Sequence, residues 1–198
     1  MSWWISGAVG RCAGYHPLVK VTYQQVRRVD AVAFAAFLAG EVWPFHSGGP
    51  VDAKAVARQV ADGEYDCASV RTHWILVDGQ QCGFVRAFDL DDGTPLFDLR
   101  IASAYRGRGI GTAALGWLIA YLFDLLLDIN RIEGTTRADN AAMRAVFRAN
   151  AFAKEAHYRQ AWPDPDGVLH DTVGYGILRQ DWLSRTVTPV HWDDERAR

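Results

Sequence analysis

Tyr105-Arg106-Gly107-Arg108-Gly109-Ile110-Gly111-Thr112 packs three glycines and two arginines into one short stretch. Ahead of it, Pro95-Leu96-Phe97-Asp98-Leu99-Arg100-Ile101 alternates like a strand; behind it, Ala113 to Leu127 is apolar with helical spacing. A strand, a glycine loop and a helix N-terminus in that order make an anion site. Loop glycines let backbone N–H groups turn inward and approach a phosphate closely. The first-turn N–H groups of the helix are unpaired and lie at the positive end of its dipole. Arg106 and Arg108 add full charges where a pyrophosphate would sit.

Three phosphate-binding designs compete for this loop. A P-loop needs Lys beside its last glycine, and none stands next to Gly109 or Gly111. A dinucleotide fingerprint needs G-x-G-x-x-G, and Gly107, Gly109 and Gly111 are spaced wrongly for it. The remaining pattern, R-x-x-G-x-G, is met by Arg106, Gly109 and Gly111. On these residues the chain resembles the GNAT family of acetyl-CoA-dependent N-acetyltransferases, whose pyrophosphate loop has this form.

Outward from the loop, the elements come in the order βααβββ-loop-αβαββ. Leu18 to Tyr23 alternates as a first strand. Asp30 is placed to cap a helix through about Ala39, with Val29, Val32, Phe34, Phe37 and Leu38 as its apolar face, and Asp52 to cap a second ending at Gly63. Between them, Glu41 to Pro50 holds Trp43, Phe45 and His46 on a loop braced by prolines and glycines. Asp78-Gly79 signals a tight hairpin between Trp74–Val77 and Cys82–Phe88. Arg131 to Thr136 reads as a strand, Asp139 or Asn140 caps the last long helix, and Phe152–Trp162 and Val168–Leu178 form a closing hairpin. This order is α/β without regular βα alternation. It is similar to the GNAT (acyl-CoA N-acyltransferase) fold, a central mixed, mostly antiparallel sheet flanked by helices, over about residues 18–182. Residues 1–17 are expected to be an N-terminal extension and 183–198 a polar tail that frays.

The second half carries the resemblance independently. Arg131-Ile132-Glu133, Asn140 and Phe152, followed by Lys154 to Arg159, Asp171, Tyr175 to Leu178 and Asp181-Trp182, resemble the RimJ/RimL-like branch of the family. Members of that branch acetylate protein N-termini or small amines, including antibiotics. The chain departs from the pattern at three places. Phe147 stands where many members carry a Tyr that protonates the departing thiolate, Met143 stands where RimL-like proteins have Ser, and Ala151 replaces a glycine.

The resemblance implies the site residues. Leu99, Arg100 and Ile101 would hold pantetheine and polarise the thioester through unpaired backbone groups; such donors are typically the largest single catalytic contribution. Arg106, Gly107, Arg108, Gly109, Ile110, Gly111 and Thr112 would bind the pyrophosphate, with Asn140 and Phe147 beside the thiol end. An ammonium must lose a proton before it attacks, so a carboxylate nearby is useful. Glu133 is the first candidate base, or else a structural partner of Arg131, Arg137 or Arg144; Asp98 is the second. For an acid, Tyr175 and Tyr158 are available, although either is expected to pack in the core with its hydroxyl satisfied. Trp43 and His46, with Asp98, are expected on the acceptor side, where aromatic rings suit an amine through cation–π contact. Phe45 is expected to plug the core.

Composition bounds the rest. The 198 residues are 49% hydrophobic with eight Trp, which fits a folded domain with a sizeable core. Lys plus Arg (21) nearly balance Asp plus Glu (23), against a dedicated nucleic-acid binder. Cys12, Cys67 and Cys82 have no metal-ligand spacing, so no metal is expected and a reducing cytoplasm is the natural compartment. The run Leu115 to Leu127 contains Asp124 and is too short for a bilayer. The expected partners are acetyl-CoA as donor and a small-molecule amine or peptide N-terminus as acceptor; a homodimer is left open. The alternative from another class is a non-catalytic acyl-CoA sensor, kept open by Phe147.

Overall fold

A computed structural model describes residues 20–46 and 49–192. The expected extension 1–17, the first two residues of the Leu18 strand, Cys12 and the tail residues 193–198 lie outside the described residues. The elements are β1 (Val21–Gln25), α1 (Ala31–Ala39), α2 (Ala53–Asp62), β2 (Arg71–Val77), β3 (Gln80–Phe88), β4 (Leu96–Ile101), α3 (Ile110–Leu125), β5 (Arg131–Arg137), α4 (Ala141–Ala149), β6 (Ala153–Pro163), β7 (Leu169–Leu178) and α5 (Arg179–Ser184). One-turn 3₁₀ segments, Arg28–Asp30 and Ser103–Tyr105, precede α1 and follow β4. This is the expected order, with α5 added.

The strands form two sheets, ordered β1-β2-β3-β4 and β5-β7-β6, and every ladder is antiparallel. The sheets meet where β4 and β5 lie side by side. There Glu133 N–H donates to the Pro95 carbonyl at 3.0 Å, and no ladder continues beyond it. The strands therefore splay, leaving the β4 edge unpaired. Asp78 and Gly79, both at positive φ (49° and 82°), close the β2–β3 hairpin in two residues, so both strands run longer than their apolar cores suggest.

Helix α3 packs into the larger of two cores. Its buried Leu115, Leu118 and Leu122 join Val85, Ile132 and Phe147 in the larger core. A second core lies under α1 and α2, where Phe34 meets Tyr65, Trp74 and Phe84 edge-on with centroids 5.0–5.1 Å apart. The α1 face differs from expectation. Ala31, Phe34, Ala35 and Leu38 are buried, while Val29 and Val32 are 86% and 78% exposed. Asp30 does not cap α1; its carboxylate accepts from Arg27 N–H instead. Asp52 caps α2 by accepting from Lys54 and Ala55, and Asn140 caps α4 by accepting from Met143.

Two long-range devices frame the helices. Arg179 reaches from α5 to donate to the carbonyls of Phe123, Ile129 and Leu126, closing the C-terminal end of α3. The buried Asp181 accepts from Thr188 N–H at 2.9 Å and Thr188 Oγ1 at 2.7 Å. The chain beyond Trp182 is therefore tied back at least to Thr188 instead of fraying from there.

His73 on β2 is buried edge-on against Trp117 and Tyr121 of α3, at centroid distances of 4.9 and 5.0 Å. Burial pushes its pKa down to about 4, against the upward pull of Asp66 and with a downward push from Arg71. Below about pH 6.5 the unfolded chain binds a proton that the folded chain refuses. Stability should therefore fall as pH drops towards 4, by up to roughly 3 kcal/mol, and then level off. Urea midpoints of the wild type and His73→Phe between about pH 7 and pH 4 check this. The variant should lose that acid slope, and parallel slopes would assign it to other groups.

Candidate active site

The splay, the glycine loop and one face of α4 enclose a cleft of about 500 Å³, within the ordinary range for small-molecule sites. Gly107 (φ 74°) and Gly109 (φ 76°) hold the loop in the left-handed region, and an added Cβ at either would meet nothing within 4 Å. The loop backbone is thus bare towards a ligand. Gly109 is the residue before α3, so the unpaired N–H groups of Ile110, Gly111 and Thr112 follow at the positive helix end. Gly107, Gly109, Ile110, Gly111 and Thr112 all line the cleft, as do Leu99, Arg100 and Ile101 of β4 and Asn140. These residues fit a nucleotide pyrophosphate at one end and an apolar thioester arm at the other.

Arg106 lines the cleft but is turned back on the protein. Its Nε donates to the Ile101 carbonyl at 2.9 Å and its Nη2 to the Val42 carbonyl at 3.2 Å. Glu41 adds contacts to the Ser103 N–H and hydroxyl at 3.2 and 3.3 Å. These bonds tie the 41–43 segment to the glycine loop. Arg108 does not line the cleft; it is exposed, with its guanidinium 5.4 Å from the Tyr105 ring.

Trp43 and His46 line the cleft next to β4 and the glycine loop, joined by Phe45. Phe45 is half-buried, with the Arg137 guanidinium 5.3 Å from its ring, so it borders the cleft instead of plugging the core. Trp43 donates from Nε1 to the Leu38 carbonyl at 2.8 Å. Its ring has the guanidinium groups of Arg100 and Arg106 at 5.5 and 5.7 Å. The cation–π contacts expected for an acceptor amine are made here by the protein's own arginines.

His46 Nε2 lies 3.1 Å from Asp98 Oδ1, and Asp98 also accepts from Arg100 Nε and Nη2 at 2.9 Å each. Burial alone would raise the Asp98 pKa, but the His46 hydrogen bond and the Arg100 guanidinium outweigh it and hold the carboxyl below the usual range. Asp98 does not itself line the cleft; it stands behind His46 and Arg100.

The remaining three sequence candidates are placed elsewhere. Glu133 is paired with Arg131 at 2.5 Å, and Arg131 also binds Glu155 at 2.6 Å; Glu133 is not among the lining residues. Phe147 is fully buried and stacked on Tyr175, with centroids 4.5 Å apart and planes at 7°. The Tyr175 hydroxyl accepts from Arg144 Nε at 3.3 Å, and the residue is 4% exposed. Neither ring lines the cleft.

The sequence reading missed the α4 side of the cleft. Ala142, Met143, Ala145, Val146 and Ala149 line it, a small apolar face whose helical spacing was available as a signal. It also missed Asn150, whose Nδ2 donates to the Thr112 carbonyl at 3.1 Å and the Val146 carbonyl at 2.9 Å, joining α4 to the first turn of α3. Among the described residues, no group of three or more His, Cys, Asp or Glu is placed to hold a metal ion, and no helix is long and apolar enough to cross a membrane.

Known proteins share this fold. The model of the acetyltransferase (GNAT) family matches residues 37–152. The "Putative ribosomal N-acetyltransferase YdaF" of Bacillus subtilis (strain 168) is 33% identical over 110 residues, which cover 54% of this chain and 59% of that protein. The aligned stretch thus spans less than two thirds of the relative. Mycobacterium smegmatis RimJ in complex with CoA-disulfide superposes with a TM-score of 0.69 at 23% identity, over 81% of this chain and 83% of that one. Spermidine N-acetyltransferase from Vibrio cholerae, in complex with CoA and spermine, gives 0.72 at 15% identity, over 82% and 98%. At those identities the two structures speak for the fold alone. The family match covers more than half of the chain, which therefore belongs to the acetyltransferase (GNAT) family.

Proposed function

We propose that this chain is a cytoplasmic N-acetyltransferase that moves an acetyl group from acetyl-CoA to a primary amine by direct attack on the thioester. One observation carries the reading: a bare glycine loop, a helix N-terminus and an unpaired strand edge converge on one cleft that ends at the Trp43–His46 wall. The loop and the first turn of α3 would hold the pyrophosphate. Leu99, Ile101, Met143 and Val146 would pack the pantetheine arm, and the free β4 edge would donate to the oxygen as charge develops there. Asn140 would lie beside the thioester.

The charge on the wall bears on the acceptor. The described lining residues include Arg100 and Arg106 and no Asp or Glu, and the carboxylate behind them, Asp98, is engaged by Arg100 and His46. A polyamine or aminoglycoside needs several carboxylates to hold its charges. The lining favours an acceptor with one reacting amine, such as a peptide N-terminus. Both kinds of acceptor occur among the names of the similar proteins, a ribosomal N-acetyltransferase and a spermidine N-acetyltransferase.

The test is CoA release from acetyl-CoA against two amine pools, one of peptides with free N-termini and one of polyamines and aminoglycosides. Turnover is expected in the peptide pool; turnover confined to the polycations would overturn the acceptor assignment. A second reading, acyl-CoA binding without turnover, draws on Phe147, a phenyl ring where many relatives place a phenol. It predicts a thermal shift with acetyl-CoA and silence in both pools.

A further inference from the structure

We infer that His46 accepts the proton of the acceptor ammonium, through Nδ1, with Asp98 as the positioning residue that holds its ring. The inference rests on the transferase reading above and adds to it the identity of the base.

Three observations meet here. His46 lines the cleft beside β4, the strand that would hold the thioester. Its Nε2 is bonded to Asp98, and the Asp98 carboxylate is clamped by Arg100, so it cannot swing away. Its Nδ1 is buried with no hydrogen-bond partner among the described residues. An unpartnered buried ring nitrogen costs about 1–3 kcal/mol, and such atoms recur where a ligand completes the set. An ionised Asp98 accepts only, so the Nε2 it contacts carries the hydrogen and Nδ1 of the neutral ring carries the lone pair. This carboxylate–imidazole order makes Nδ1 the basic atom. Glu133, the base expected from sequence, is instead committed to Arg131 outside the cleft lining.

The protons balance without another reactant. An acceptor R–NH3⁺ gives one proton to Nδ1, and the freed nitrogen pair attacks the thioester carbon. When the C–S bond breaks, its electrons leave on sulfur as the CoA thiolate, which takes the second nitrogen proton. The imidazolium then returns its proton to solvent. The charged groups around the ring are Asp98 and, through it, Arg100, with Arg106 on Trp43, Arg137 on Phe45 and the Tyr65 phenol near Asp98 and Arg100.

The test is kcat/KM for the free-N-terminus peptide pool from about pH 6 to pH 9.5, for wild type, His46→Gln and Asp98→Asn, with acetyl-CoA binding followed by thermal shift. His46→Gln should lose about 100-fold at neutral pH, and the loss should shrink to less than about 10-fold where the α-amine is already free. Its acetyl-CoA shift should match wild type. Asp98→Asn should show a smaller loss of the same shape. A loss constant across pH, or a raised acceptor KM with kcat unchanged, would overturn the inference. If the wild type itself turns over no pool, the transferase reading fails. The ring is then judged by its ¹⁵N spectrum at neutral pH, where a proton on Nε2 and a bare Nδ1 support the dyad and the opposite tautomer removes it.

Discussion

Gly109→Glu is expected to abolish acetyl-CoA binding, a loss of about 100-fold or more in affinity. Two effects act together. Gly109 sits at φ 76°, and a non-glycine residue in that region costs about 1–2 kcal/mol, so the loop is driven to relax away from the geometry that bares its backbone. The added carboxylate also enters open space, since nothing lies within 4 Å of a Cβ built there. That space faces the first turn of α3, where a pyrophosphate would sit, and a like charge there reverses the sign of the field the helix end supplies. Each 1.4 kcal/mol is tenfold in binding, so strain and repulsion together reach the stated loss. Gly109→Ala separates the two, because it keeps the strain and omits the charge. It should weaken binding roughly tenfold. The check is the thermal shift produced by acetyl-CoA, which should vanish for Gly109→Glu while the unliganded melting temperature stays near that of Gly109→Ala. A normal shift with the Glu variant would remove the loop from the cofactor site.

What was legible in the sequence follows the range of the interactions. The glycine loop, the Asp78-Gly79 hairpin and the Asp52 and Asn140 caps are written in neighbouring residues, and each appears where expected. The features that were not legible join distant positions. Arg106 to Val42, Asn150 to Thr112, Arg179 to Leu126 and His46 to Asp98 are separated by 64, 38, 53 and 52 residues. Nothing local says which arginine turns back on a carbonyl and which stays free for a phosphate, so Arg106 and Arg108 read alike until the chain is folded. Helix α1 failed differently. Its Ala-, Val- and Phe-rich sequence offers more than one apolar stripe, and the position of Trp74 and Phe84 beneath it selects the stripe through Phe34, leaving Val29 and Val32 outside.

Gly134→Ala is expected to destabilise the protein by about 2 kcal/mol and to weaken acetyl-CoA binding with it. A Cβ at this buried position would lie 2.8 Å from Cε1 and Cζ of Phe147 and from Cε1 of Phe97. The rings cannot yield cheaply. Phe147 is fully buried, stacked on Tyr175 and packed against Phe152 at 5.2 Å, and overpacking a filled core typically costs about 1–3 kcal/mol. For a chain of this size that is a fall in Tm of roughly 4–8 °C. The position matters beyond stability. Gly134 follows Glu133, whose N–H donates to the carbonyl of Pro95 just ahead of β4, so extra volume at Gly134 presses on the point that sets the mouth of the splay. Shrinking the neighbour should relieve the strain. In the double variant Gly134→Ala/Phe147→Leu, the loss should fall short of the sum of the two single losses by about 1 kcal/mol or more, a coupling that contacting residues show and distant ones do not. Strictly additive losses would mean that the ring stack shifts freely and that the β4–β5 separation is set by other contacts. A Gly134→Ala protein that melts like the wild type yet binds acetyl-CoA poorly would place the strain in the strands instead of the rings.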